Sequence, residues 1–251
     1  MEQGTVTRAL AILEILSKVR DANLETLAQQ TNLPKTTTLR LLTTLVENKY
    51  VVKDNNDRYY LSMKMFAVGS KALAHIDLID ISRPIARALS EATGETVHMG
   101  ILDDNKVLYV LKNESNYTIR MYSRIGRRSP LHCSAIGKCL LADLGEDYLD
   151  NYIQSGALVS YTPKTIATKE ALTAELEKVR SQGFAVDNEE YEPQIVCVAA
   201  PIKDQEGKVV AAMSVSTPTF RLDDAKFNKN CSLVVEYSNK ISDILGNVDH
   251  C

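Results

Sequence analysis

The sequence has no tryptophan and only 11 glycines and 7 prolines in 251 residues. That scarcity excludes a collagen-like or low-complexity chain. No run of about 18 apolar residues occurs, so no transmembrane helix is expected. The opening stretch, MEQGTVTRALAILEIL, carries Glu2 and Glu14 and leads to no small-residue cleavage site. No secretory signal is expected from it, and a cytoplasmic location follows. The five cysteines, Cys133, Cys139, Cys197, Cys231 and Cys251, form no CxxC pair. They read as reduced thiols used as small apolar side chains. His132, Cys133 and Cys139 match no usual zinc spacing, so neither a metal nor another cofactor is expected. An excess of one charge is lacking too: the formal net charge is −3. Averaged over the chain, that figure argues against a nucleic-acid partner.

What is present is ordinary globular material, 45% apolar and 24% charged, long enough for one large domain or two smaller ones. Val6, Ala9, Leu10, Leu13 and Leu16 or Ser17 predict an amphipathic helix over residues 5–20. Asn23 is an N-cap for a short helix over 24–31, with Leu24, Leu27 and Ala28 inward. Pro34 suits the first position of a third helix, 34–48, whose buried stripe is Leu39, Leu42, Leu45 and Val46. Two β-prone runs, 50–53 and 58–61, flank a polar turn and predict a hairpin.

A linker helix is expected over 62–76, and Pro84 opens another helix ending before Gly94. The period then changes to two. Strands are expected at 95–102, 106–111, 118–124, 184–188, 197–203 and 209–216, with residues 126–130 as a loop. Helices are expected at 134–143, 146–154, 169–182 and 222–245. The fold class is therefore α+β. The divisions are 1–61 for a helical reader with a hairpin, 62–79 for the linker helix and 80–251 for an antiparallel sheet domain with helices.

Helix, turn, helix and wing carry the functional reading. The third helix begins Lys35, Thr36, Thr37, Thr38, then Arg40, so its first turn is polar and suited to the DNA major groove. Threonine hydroxyls reach phosphates and bases, and the methyl groups can touch thymine. Lys53 and Arg58 sit on the hairpin, placed like a wing against the DNA backbone. Residues 1–60 hold eight bases against seven acids, a net +1 that leaves −4 for the rest. DNA affinity must then come from placement and from doubling in an oligomer.

The blocks LETLAQQTNLPKTTTLRLLTTLVENKYV, RMYSRIGRRSPLHCSAIGKCLLA, FAVDNEE with CVAAPI, and AAMSVSTP together resemble the IclR family of bacterial transcription regulators. ETVHMG and MYSRIGRR also resemble the subgroup of repressors that sense 2-keto-3-deoxygluconate. The resemblance implies a winged helix-turn-helix joined by a helix to a GAF/profilin-like effector domain. It implies homodimers, assembled as dimers of dimers, on palindromic double-stranded DNA operators. It also implies a pocket for a small organic acid at Met121, Ala135, Ile136, Asp187, Cys197, Ser214 and Ser216. Chemistry agrees: a helix start can hold a carboxylate, Ser214 and Ser216 share strand parity, and Asp187 can accept from sugar hydroxyls. Gln194 stands where the family often has glycine, and Val196 where it often has a basic residue.

Arg120, Arg124, Arg127 and Arg128 invite an anion clamp. Arg120 and Arg124 alternate with Met121 and are assigned to an interface or solvated face, while Arg127 and Arg128 stay as possible contacts. The expected protein is a regulator and not an enzyme, most simply a repressor. Sensing of a smaller keto acid such as glyoxylate or pyruvate, and activation in place of repression, are the alternatives. A thiol hydrolase built on Cys197 is disfavoured, because Cys197 lies in an apolar strand run and not on an exposed elbow. A metabolite-sensing adaptor that does not bind DNA is the remaining reading.

Overall fold

The computed structural model describes residues 4–73, 77–118 and 123–246. The chain divides into two compact units, residues 1–76 and 77–251.

In the N-terminal unit, α1 (Thr5–Lys18) is followed by a two-residue strand, β1 (Ala22–Asn23). Asn23 caps α2 (Leu24–Thr31), its side chain accepting from Thr26 N at 2.9 Å. Asn32, at φ 53°, closes that helix in the left-handed region and returns its N–H to Ala28 and Gln29. Pro34 then caps α3 (Lys35–Glu47). The hairpin is β2 (Val51–Lys53) with β3 (Arg58–Leu61), followed by α4 (Met63–Leu73). Asp54 shapes the turn, its carboxylate accepting from Asn56 N and Arg58 N. β1 adds to the hairpin, Ala22 pairing with Tyr59, so the wing is three-stranded.

Ile12, Leu16, Leu27, Leu41, Leu42, Leu45 and Val51 form the core of this unit. Each fully buried aliphatic side chain contributes about 2 kcal/mol by leaving water. Two expected stripes are corrected in part, with Leu16 of α1 and Leu42 and Leu45 of α3 buried as expected. On α1, Ile12 and Leu16 face the core, whereas Val6 and Leu10 are exposed. Apolar residues occupy two faces of this helix, so a 3.6 period admits two registers. On α3 the buried set is Thr38, Leu41, Leu42 and Leu45, and Leu39 is exposed.

The second unit begins with α5 (Asp77–Thr93), which contains Pro84 instead of starting at it. Buried Leu78 and Ile79 lie in the turns before Pro84 and hold the helix through the missing N–H. The sheet then builds from β4 (Thr96–Asp103), β5 (Lys106–Asn113) and β6 (Arg128–Pro130). Helices α6 (Ala135–Asp143), α7 (Glu146–Gln154) and α8 (Lys169–Gln182) intervene before β7 (Ala185–Asn188), β8 (Ile195–Lys203) and β9 (Val209–Pro218). α9 (Asp224–Gly246) follows. The sheet order is β6-β5-β4-β9-β8-β7, antiparallel throughout. Residues 128–130 are thus an edge strand on β5 and not a loop. The expected strand 118–124 falls mostly outside the described residues.

Strand parity assigns the two faces. Cys197, Ala199 and Ala212 pack with Ile136, Leu140, Leu172 and Leu176 of α6 and α8. Thr217, of opposite parity to Ser216, receives a hydrogen bond from Asn230 of α9. The α6 face holds the site. Its N-terminus is pinned close, since a side chain at Gly137 would come within 2.3 Å of the Leu131 carbonyl.

Candidate functional site

The start of α3 and the wing form one concave surface, lined by Lys35 and Leu39 with Lys53, Asp57 and Tyr59. Lys35, Thr36 and Arg40 are exposed and Thr37 is half-buried. Thr38 is fully buried, and its hydroxyl donates to the Pro34 carbonyl at 3.2 Å. Thr38 therefore secures the first turn and cannot reach DNA, which corrects its expected role. Arg40 borders a second groove with Leu41 and Thr44, beside α1 and α4.

The basic residues of this surface are paired with acids. Lys35 bonds Glu25 at 2.9 Å, Lys53 bonds Asp57 at 2.6 Å, and Arg58 pairs with Asp21. The Lys35 ammonium holds the Glu25 carboxyl below its usual range. Exposed pairs of this kind are worth about 1 kcal/mol or less, so a phosphate can displace them.

In the second unit, Ala135, Ile136, Asp187, Cys197, Ser214 and Ser216 line a single cavity. Met121 and Arg120 lie outside the described residues. Ser134 caps α6, its hydroxyl accepting from Gly137 N, which leaves the N–H groups of Ala135 and Ile136 without intrahelical acceptors. Ser214 and Ser216 point to the same face of β9, and Cys197 donates to Ser216 Oγ at 3.2 Å. Asp187 is buried, and burial pushes its carboxyl up to about 7. One of its oxygens accepts from Glu190 N at 2.8 Å, so Asp187 also shapes the turn after β7.

Tyr109, Tyr191, Glu192 and Ile195 complete the lining. His98 stands behind it, 3.4 Å from Ser216 Oγ and 2.7 Å from Ser123 Oγ, with its ring 5.0 Å from that of Tyr109. Burial pushes the His98 imidazole down to about 3, so it is neutral. Below the cavity floor, fully buried Lys138 bonds Glu190 at 2.7 Å and Glu175 at 3.0 Å. The sequence reading missed Tyr109, His98, Tyr191 and Glu192. For His98 a signal existed: it lies in the quoted block ETVHMG and pairs with Ser214 across β4 and β9.

The helix-turn-helix and sheet units each match a known description. Residues 5–55 match "IclR helix-turn-helix domain" and residues 70–243 match "Bacterial transcriptional regulator IclR C-terminal". The chain belongs to the IclR family of transcription regulators. It is 36% identical over 248 residues to the HTH-type transcriptional regulator KdgR of Escherichia coli (strain K12), covering 98% of this chain and 94% of that one. It is 33% identical over 241 residues to the HTH-type transcriptional repressor AllR of the same strain, covering 95% and 89%. The crystal structure of the Thermotoga maritima IclR superposes with a TM-score of 0.82 at 32% identity, covering 96% and 98%.

As an IclR-family regulator the protein binds DNA through its N-terminal unit and a small effector through its C-terminal one. The family and these relatives are regulators and not enzymes. The thiol chemistry agrees, because burial pushes the Cys197 thiol well above its usual range, leaving a poor nucleophile. Among the described residues no cluster of metal-ligating side chains occurs, and no helix is long and apolar enough to cross a membrane. His132 is instead engaged by Tyr152 Oη and the Val159 carbonyl, each at 3.0 Å.

The two departures from the family pattern now have places. Gln194 adopts φ 63°, a conformation that favours the glycine often found there. Val196 has the opposite parity to Cys197 and faces a groove with Leu222 and Phe227, away from the effector cavity.

Proposed function

We propose that this regulator is a cytoplasmic repressor that leaves its operator when 2-keto-3-deoxygluconate or a related sugar acid fills the cavity. One observation carries the reading: the start of α6, whose first N–H groups lack intrahelical acceptors, lines one cavity together with the hydroxyls of Ser214 and Ser216 and the carboxyl of Asp187. That set suits a molecule with an acid at one end and hydroxyls along its length. The resemblance of ETVHMG and MYSRIGRR to the 2-keto-3-deoxygluconate subgroup supports the same ligand. Residues 1–61 read DNA, with Lys35, Thr36, Thr37, Arg40, Lys53 and Arg58 in contact. Residues 62–79 couple them to the sensor, 80–251.

The operator is palindromic and the regulator a homodimer, paired further as a dimer of dimers. An exposed apolar groove supports pairing: Val6, Leu10, Leu13, Met65 and Val68 line about 640 Å³ on the N-terminal unit. A second copy covers it and doubles the weak charge of one reader.

With about 10 Å³ free, the cavity must widen less for a smaller keto acid such as pyruvate or glyoxylate, which is the second reading. Gel-shift titration of a palindromic operator with the three acids separates the readings. Release by the sugar acid alone supports the first, release by the short acids alone supports the second, and retention under all of them rejects both.

A further inference from the structure

The effector cavity is narrow and tightly packed. Its free volume of about 10 Å³ holds about one water, against roughly 300 Å³ or more for a ligand-filled pocket. A segment must move before an acid of several carbons enters.

Residues 189–194 join β7 to β8, and both ends are non-glycine residues in the left-handed region, Glu189 at φ 60° and Gln194 at φ 63°. Gln194 N donates to Glu189 Oε2 and Gln194 O accepts from Thr219 N, each at 2.9 Å, so the base of the loop is fixed and movement falls to residues 191–193. The first half of this loop is tied down. Glu189 O accepts from Thr162 at 2.7 Å, Glu190 O accepts from Thr165 at 2.6 Å, and the Glu190 carboxylate bonds buried Lys138. The second half carries Tyr191 and Glu192, whose side chains line the cavity. Arg127, just before β6 and accepting at its carbonyl from Tyr109 N at 3.0 Å, takes hold of both. Its guanidinium bonds Glu192 at 3.1 Å and Tyr191 Oη at 3.4 Å, and lies 5.9 Å from the Tyr191 ring. The Arg127–Glu192 pair is about one-third exposed, so it stands at the mouth where an entering anion meets it.

We propose that Arg127 is a specificity-determining residue that exchanges its Glu192 carboxylate for one oxygen of the effector carboxylate, whose other oxygen takes the N–H groups of α6, unlatching the Tyr191–Glu192 flap as it does so. The inference rests on the reading of this cavity as the effector site. Glu192 is an internal stand-in for the ligand: Arg127 holds it through one guanidinium nitrogen on one carboxylate oxygen, a contact that another carboxylate can take over. Binding is thereby coupled to opening, because the acid gains Arg127 only when the flap lets go. A neutral analogue has nothing to offer Arg127 and leaves the latch shut. Until it is displaced, Glu192 lowers the apparent affinity of every acid by the fraction of time the latch is closed.

The test uses the full chain as wild type, Glu192→Gln, Arg127→Gln and the double variant. The probes are 2-keto-3-deoxygluconate, pyruvate and glyoxylate, each beside its methyl ester. Calorimetry gives affinity, a gel shift gives operator release, and hydrogen exchange over residues 191–194 reports the flap without ligand. Glu192→Gln is expected to tighten binding of at least one acid by about fivefold, to tighten its ester by a similar factor because the flap no longer has to be unlatched, and to speed exchange of the flap. Arg127→Gln is expected to erase the preference for acid over ester, alone and in the double variant. Acid affinity indifferent to both substitutions, with unchanged flap exchange, overturns the proposal even if the acids still release DNA. Acids that bind as expected but leave DNA bound overturn the effector reading and leave the latch standing. No binding by any variant overturns both.

Discussion

Lys35, the first residue of the reading helix, is paired at 2.9 Å with Glu25 of the preceding helix. Lys53 and Arg58 on the wing are likewise paired with Asp57 and Asp21. Three of the proposed contact cations are thus paired with carboxylates of the same unit, whose net charge over residues 1–60 is only +1. Phosphate binding replaces one carboxylate partner with another oxyanion. Glu25→Gln should therefore tighten operator binding severalfold, whereas Lys35→Ala should weaken it and lower the salt slope by about 1. Fluorescence anisotropy between about 50 and 200 mM salt reads both effects.

The three threonines of the reading helix should separate cleanly. Thr36→Ala removes an exposed hydroxyl and should weaken operator binding while leaving Tm unchanged. Thr38→Ala empties a buried site and removes the bond to the Pro34 carbonyl. It should lower stability by about 1–2 kcal/mol in denaturant unfolding.

Leu10 is 52% exposed on the groove face of α1, whereas Leu16 is 2% exposed in the core. Leu10→Asp should leave the chain folded and shift sedimentation toward a slower species, with loss of affinity for a palindrome but not for a half-site. A sedimentation profile identical to wild type would remove this face from the proposed homodimer.

Asp187 supplies a pH dependence. Burial raises its carboxyl from 3.8 to about 7, with the Glu190 carboxylate adding to the shift and the Glu190 backbone N–H and Lys138 opposing it. The folded protein then holds a proton that the unfolded chain releases above about pH 4. Stability contributed by this group is present at low pH and is lost as pH rises through about 7. Asp187→Asn keeps an oxygen for the Glu190 N–H and removes the titration. Its Tm should exceed that of wild type at pH 8 by more than at pH 5. Parallel curves for the two proteins would show that Asp187 does not titrate in this range.

Local chemistry was legible in the sequence wherever one residue type suffices. Asn23 as a cap and the polar turn at Asp54 both act within a few residues. Residues that act through partners far along the chain were less legible. The expected α1 stripe followed Val6 and Leu10, because period alone does not say which of two apolar faces meets Leu27 and Leu42. Pro84 marked a boundary in the sequence, yet packing of Leu78 and Ile79 carries the helix through it. The effector cavity divides in the same way. Six of the expected lining residues fall on one cavity because the family blocks carry them. Tyr109 and His98 sit on earlier strands, and only the β4–β9 pairing brings His98 to Ser214 and Ser216.

The central claim is that an acid in the sheet cavity controls DNA binding by the N-terminal unit. The most direct measurement is anisotropy of a labelled palindromic operator bound by the full chain, titrated with 2-keto-3-deoxygluconate, with Ser214→Ala/Ser216→Ala as control. The account predicts at least a tenfold loss of operator affinity in the wild type, about 1.4 kcal/mol of coupling, and little loss in the control. Equal loss in both proteins, or operator binding unchanged by the acid at saturation of the cavity, would contradict it.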